Sequence, residues 1–242
     1  ALDDMDSVLK INPANVNAIN YKGVIYGEQG NINKEIETYE TGIALEKTNP
    51  ESAAMCYFNR GLVFENQEKL DEAISDYYKA IALDGNTSSY YTSRGMLYDV
   101  TDKVDSAFLD FNKAIEINPT NSECYKIRGD SYYSNDKPEL ALLDYLKSFS
   151  FDSIQPETET TECLHVTIGW IYEDLGLPDQ ALFYYNKGIA LELSHPIIAA
   201  DCYSSRADLF DKQEQYNEAV SDLNKSIELD PSDAWNIENR AI

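Results

Sequence analysis

The residues of this 242-residue chain that could carry chemistry are two histidines, four cysteines and an excess of carboxylates. His165 and His195 stand 30 residues apart, and neither shares a metal-ligand or acid–base spacing with a second such residue. Cys56, Cys124, Cys163 and Cys202 form no Cys-x-x-Cys pair and are too sparse for a disulfide scaffold. Free thiols fit a reducing compartment, which favours the cytoplasm. Glycines come singly, so no loop cradles a phosphate. Carboxylates are abundant, but none is set apart as a tuned acid or base. These readings lead to an expectation of no catalytic residue, no metal and no cofactor.

What positions those carboxylates is a matter of the whole chain. The 43 acidic against 19 basic side chains give a formal net charge of −24. Such a chain repels phosphates, so nucleic acid and anionic membrane surfaces are excluded as partners and basic or apolar ones remain. A hydrophobic content of 43%, with 18 Tyr, is too high for a disordered chain of this charge. No run approaches a membrane span, so membrane insertion is not expected. Ala1-Leu2-Asp3-Asp4 is not a signal sequence, and an export signal removed upstream would lie outside this numbering.

A period of 34 residues organises the sequence: Tyr91-x-x-Arg94-Gly95-x-x-Tyr98, Ala107-x-x-x-Phe111-x-x-Ala114 and Pro119 recur as Tyr125, Arg128, Gly129, Tyr132, Ala141 and Tyr145, and earlier as Tyr57, Arg60, Gly61, Phe64, Ala73, Tyr77 and Ala80. Within each unit, apolar residues at three- and four-residue spacing mark amphipathic helices. Gly61, Gly95, Gly129 and Gly169 each cost about 1 kcal/mol in a helix. Their recurrence opposite Tyr77, Phe111, Tyr145 and Tyr185 points to a close-packed antiparallel partner helix. Asn12-Pro13, Asn118-Pro119 and Asp230-Pro231 should end second helices.

This pattern resembles the tetratricopeptide repeat. The resemblance implies an all-α, right-handed superhelical solenoid of antiparallel helix pairs covering 1–242 as a single array. Residues 1–15 read as the second helix of a partial repeat. Full repeats follow at 16–53, 54–87, 88–121, 122–161, 162–199 and 200–233, and 234–242 reads as a partial first helix. Chain ends of this kind lack polar capping helices, so the expectation is either a piece of a longer array or homo-oligomerisation through the uncapped ends. His165 sits where other repeats carry Tyr57, Tyr91, Tyr125 and Tyr203, and reads as a satisfied core histidine.

Arg60, Arg94, Arg128 and Arg206 at position 7 accompany Asp76, Asp110, Asp144 and Asp222 at position 23, whereas the remaining two repeats carry Lys22 with Thr38 and Ile168 with Tyr184. With a turn near position 15 the two positions lie at one height, which predicts an Arg–Asp pair inside each of the four hairpins. The two odd repeats are 38 residues long, share Gly-Ile-Ala-Leu-Glu, and superpose with an offset of 146, as expected of a duplicated block. Their extra four residues, about one helical turn, are expected to lengthen the second helix. Residues 155–161 read as an acidic exposed loop.

The resemblance assigns positions 2, 5, 9, 12 and 13 of first helices to a concave binding face. Those positions carry Met55, Phe58, Leu62 and Met96 as one apolar patch, and Tyr133, Val166, Trp170 and Trp235 as a second. Carboxylates including Asp99, Asp130, Glu173, Asp174, Asp201 and Asp208 surround them, opposed by Lys126 and Lys212. Chaperone-binding members hold a C-terminal carboxylate with Lys, Asn and Arg at set positions of successive repeats, and here only Asn59 matches, while Asn20, Val24, Ser89 and Ser93 depart from that set. The expected function is therefore a noncatalytic scaffold that binds a basic and apolar protein or peptide segment on an acidic concave face. The alternative is a structural assembly segment that associates through its ends.

Overall fold

Alternation of apolar stripes with Asn, Asp and Pro stops produces helices and little else. The computed structural model describes residues 1–152 and 164–232, and among them thirteen α-helices and no strand. In the first of two compact units, Ala1–Pro119, these are α1 Leu2–Ile11, α2 Val16–Glu28, α3 Ile32–Ile43, α4 Pro50–Asn66, α5 Leu70–Leu83, α6 Ser88–Val100 and α7 Val104–Ile117. The second unit, Thr120–Ile242, holds α8 Ser122–Ser134, α9 Pro138–Asp152, α10 Leu164–Asp174, α11 Pro178–Ile189, α12 Pro196–Lys212 and α13 Tyr216–Leu229. Expectations placed on residues 155–161, Cys163 and 234–242, Trp235 included, lie outside the described residues.

Each even-numbered helix pairs with the odd-numbered one that follows, and each pair packs on its neighbour in sequence within its unit. One hairpin cannot cover its own apolar stripe, so the core forms between neighbours. Tyr77, Phe111, Tyr145 and Tyr185 are fully buried, each against a first-helix glycine. A Cβ on Gly95 would lie 2.7 Å from Phe111 Cε1, and one on Gly169 would lie 2.1 Å from Tyr185 Cε1. That close approach is the packing reason for glycine at a position where it weakens the helix.

The hairpin turn repeats just as strictly. Residues Gly30, Glu68, Asp102, Asp136, Gly176 and Glu214 all have φ between 57° and 71°, and the next residue's N–H reaches back to the carbonyl five residues earlier at 2.8–3.0 Å. This is a Schellman turn at position 15 of every hairpin.

The four Arg–Asp pairs form inside their own hairpins. In each, Nε and Nη2 of the arginine donate to the two oxygens of the aspartate at 2.7–2.8 Å. All four aspartates are buried. Aromatic residues three before and four after each arginine flank the guanidinium, as Tyr91 and Tyr98 flank Arg94 at 5.9 and 5.7 Å.

The extra four residues of the odd repeats do not lengthen their second helices. α3 and α11 have 12 residues against 14 in α5 and α7. The turn goes instead to the first helix that follows, because α4 and α12 have 17 residues against 13 in α6 and α8. Pro50 and Pro196 start these helices, where a missing N–H costs nothing, and the Asn49 side chain caps α4 by accepting from Ser52 N–H. Gly42 and Gly188 end the preceding helix against Cys56 and Cys202, whose Sγ atoms would lie 2.2 Å from an added Cβ.

Candidate functional site

In α10, burial of Ile168, Gly169 and Ile171 turns Trp170 to the opposite side. Trp170, Glu173 and Asp174 then follow one another at three- and four-residue spacing on one face. On α12, Asp201, Ser204, Ser205, Asp208 and Lys212 form the matching stripe. The two stripes face each other across a groove of about 710 Å³ whose wall is completed by Tyr133 of α8, Val166 and Thr167. Trp170 is 51% exposed there, whereas Val166 is 8% exposed and packs mainly on Ile198 and Cys202.

Charge in the groove is one-sided: Glu173, Asp174, Asp201 and Asp208 line it with a single cation, Lys212. Lys212 Nζ donates to Asp208 at 2.5 Å and Glu173 at 3.1 Å. The hydrogen bond to Asp208 pushes the Lys212 pKa up, opposed by partial burial and assisted by Glu173. The other Glu173 oxygen accepts from the buried Tyr185 hydroxyl, which fixes the carboxylate from beneath. Burial, that hydrogen bond and the Glu173 charge hold Tyr185 protonated far above the ordinary tyrosine range. Tyr133 reaches Asp174 with its hydroxyl at 3.4 Å.

The first unit carries a smaller groove of about 480 Å³, lined by Asn20, Glu51, Met55, Phe58, Asn59, Asp84, Thr87, Ser89 and Tyr90. Phe58 is drawn into the core, with its ring 4.8 Å from Tyr90 and 5.5 Å from Tyr77. Asn59 donates to Asn20 across the floor.

Models of the tetratricopeptide repeat match residues 54–86, 88–121, 164–195 and 200–233. The chain belongs to the tetratricopeptide repeat family. The C-terminal part of a tetratricopeptide repeat-containing protein from Cytophaga hutchinsonii has a similar structure, with a TM-score of 0.73 at 16% identity over 98% of this chain and 92% of that one. YrrB, described as a tetratricopeptide repeat protein with an unusual peptide-binding site, superposes with a TM-score of 0.62 at 21% identity, covering 82% of this chain and 96% of its own. Among curated proteins, tetratricopeptide repeat protein 14 of Mus musculus is 35% identical over 89 residues. That match takes in 35% of this chain and spans only 11% of the mouse protein. The structural likenesses show the all-α tetratricopeptide fold, and the repeats make the chain a scaffold for protein–protein interaction.

Of the residues read as concave-face candidates in this tetratricopeptide protein, Tyr133, Val166, Trp170, Glu173 and Asp208 come together in the second-unit groove, and Met55 and Phe58 in the first-unit one. Leu62 and Met96 are exposed but line neither groove. Asp99 is half-buried, and Asp130 accepts from the Tyr145 hydroxyl at 2.7 Å and from Lys126 at 3.0 Å. Thr167, Ser204 and Ser205 line the larger groove without having been singled out. Ser204 occupies position 5, one of the concave positions, but a small hydroxyl carries no sign of a binding role.

His165 is in the core, 5% exposed, with its ring 5.1 Å from Phe149 in an edge contact. It is not satisfied, however: its Nδ1 finds no hydrogen-bond partner among the described residues. None of the groups packed around the ring brings a partner within hydrogen-bond distance of that nitrogen. Burial, with Lys187 adding to it, lowers its pKa to about 4. Cys56 and Cys202 are buried free thiols, pushed up by burial to about 11 and about 12.

Proposed function

We propose that this tetratricopeptide protein is a noncatalytic scaffold whose α10–α12 groove binds a protein segment with an apolar anchor next to Lys or Arg. The observation that carries the reading is Trp170, half exposed beside four carboxylates and one lysine. An indole in a groove offers a large rigid apolar surface, and the surrounding charge selects a cationic neighbour. YrrB's described peptide-binding site lends support to a peptide ligand on this fold. Tyr133 and Val166 extend the apolar wall, while Asp174 and Asp201 border it. Met55, Phe58, Leu62 and Met96, with Asp99 and Asp130, are read as secondary surface.

Calorimetry with amidated peptides bearing a Leu between two Arg tests this reading. Trp170→Ala should weaken binding by about 2 kcal/mol, the scale of an interface hot spot. Asp201→Lys should weaken it further at low salt than at high salt, because exposed charge pairs are screened. Affinity unchanged in both variants, with helical content retained, would remove the groove as the binding site.

A further inference from the structure

Lys212 occupies the place in this groove where an incoming cation would bind. Its Nζ bridges Glu173 of α10 and Asp208 of α12, two of the four carboxylates that line the groove. Glu173 differs from the lysine in how firmly it is held, whereas the Asp208 side chain is 44% exposed. The Glu173 side chain is 10% exposed and anchored by Tyr185, while the Lys212 side chain is 58% exposed at the end of α12. Its flexible stem can release the ammonium into water without disturbing either helix.

Packing does not require this bridge. The offset of 146 that superposes the duplicated blocks places Gly27, Leu62 and Asn66 where the second block has Glu173, Asp208 and Lys212. The corresponding first-unit hairpins form with no charge at any of the three positions. The triad therefore belongs to the groove and not to the repeat.

We propose that Lys212 is a specificity-determining residue: a resident competitor that makes the groove discriminate among cationic segments. This rests on the groove being the binding site. An incoming Lys ammonium exchanges one ammonium for another and gains nothing. A guanidinium has several N–H donors in a rigid fork, so it can hold Glu173 and Asp208 together and release Lys212 to solvent. The preferred partner segment is accordingly one that presents Arg beside its apolar anchor, and one with Lys gains nothing from the Glu173–Asp208 pair.

The test uses three fluorescent amidated peptides, Ser-Gly-Arg-Leu-Arg-Gly-Ser and its counterparts with Lys or citrulline replacing Arg, against the wild type, Lys212→Gln and Lys212→Met. In the wild type the Arg peptide should bind most tightly, the citrulline peptide least, and the Lys peptide between them through Asp174 and Asp201 alone. Either variant should tighten the Arg and Lys peptides about fivefold, the worth of an exposed ion pair, and leave the citrulline peptide unchanged. A wild type and variants that all fail to bind the Arg peptide would sink the groove itself. Binding that Trp170→Ala weakens but that removal of the Lys212 charge leaves unchanged, or weakens, would overturn the competitor role and spare the groove. Equal tightening of all three peptides would also overturn it, because the gain would not depend on ligand charge.

Discussion

Replacing His165 with Phe should flatten the acid limb of the protein's stability. In the folded chain the imidazole is enclosed by Phe149, the Gly188 segment and the Lys187 ammonium, and its pKa falls to about 4. In the unfolded chain it returns to the ordinary value of 6.5. Between those values the unfolded state binds the proton and the folded state does not, so stability falls as pH drops from 6.5 and levels off near 4. At about 1.4 kcal/mol per pH unit, the loss from this one group comes to about 3 kcal/mol. Phe keeps an aromatic ring of similar span and removes the unpaired nitrogen, which itself costs about 1–3 kcal/mol when buried. The variant should therefore match or exceed the wild type at pH 7.5, and its advantage should grow through pH 4.5. Urea denaturation followed by far-ultraviolet circular dichroism at a series of pH values measures both. Parallel pH profiles for the two proteins would refute the enclosure of a neutral imidazole.

Arg94→Ala strands the Asp110 carboxylate in a buried position and should cost about 3–5 kcal/mol, whereas the double replacement Arg94→Met with Asp110→Leu should recover most of it, as a urea double-mutant cycle would show. Gly169→Ala forces the Tyr185 ring out of its seat and should destabilise by about 1–3 kcal/mol despite alanine's better helix propensity, a loss visible as a lower urea midpoint. Glu68→Gly relieves a non-glycine residue held at φ 59° and should stabilise by about 1 kcal/mol, read from the thermal midpoint.

Much of the fold was legible because the repeat states the same fact several times. Arg60 alone says little, but arginine at position 7 whenever aspartate stands at position 23 identifies a contact, and the bidentate pairs follow. Gly169 against Tyr185 was readable for the same reason. The lengthened helix was not placed correctly, because counting four residues gives the size of an insertion and not the helix that receives it. The deciding signal was the proline at the start of α4 and α12, which suits a first helical turn. The groove's one-sided charge could be read from positions 2, 9, 12 and 13. Its internal pairing could not, since it depends on how far Lys212 and Tyr185 reach across to Glu173 rather than on periodicity. The unsatisfied Nδ1 of His165 was hidden likewise, because a sequence position shows burial but not whether a hydrogen-bond partner is near.

The closure of each guanidinium–aspartate pair within a single hairpin has a consequence for how such a chain can change in length. Had the pairs run from one hairpin to the next, each boundary with a repeat that lacks the pair would leave an orphan ion at the seam. Here a duplication cut at hairpin boundaries carries each arginine along with its own counter-charge, so the copied segment arrives electrostatically complete. A chain built this way tolerates recombination of whole repeats, and a duplication with an offset of 146 residues would have kept Arg60–Asp76 and Arg206–Asp222 each intact.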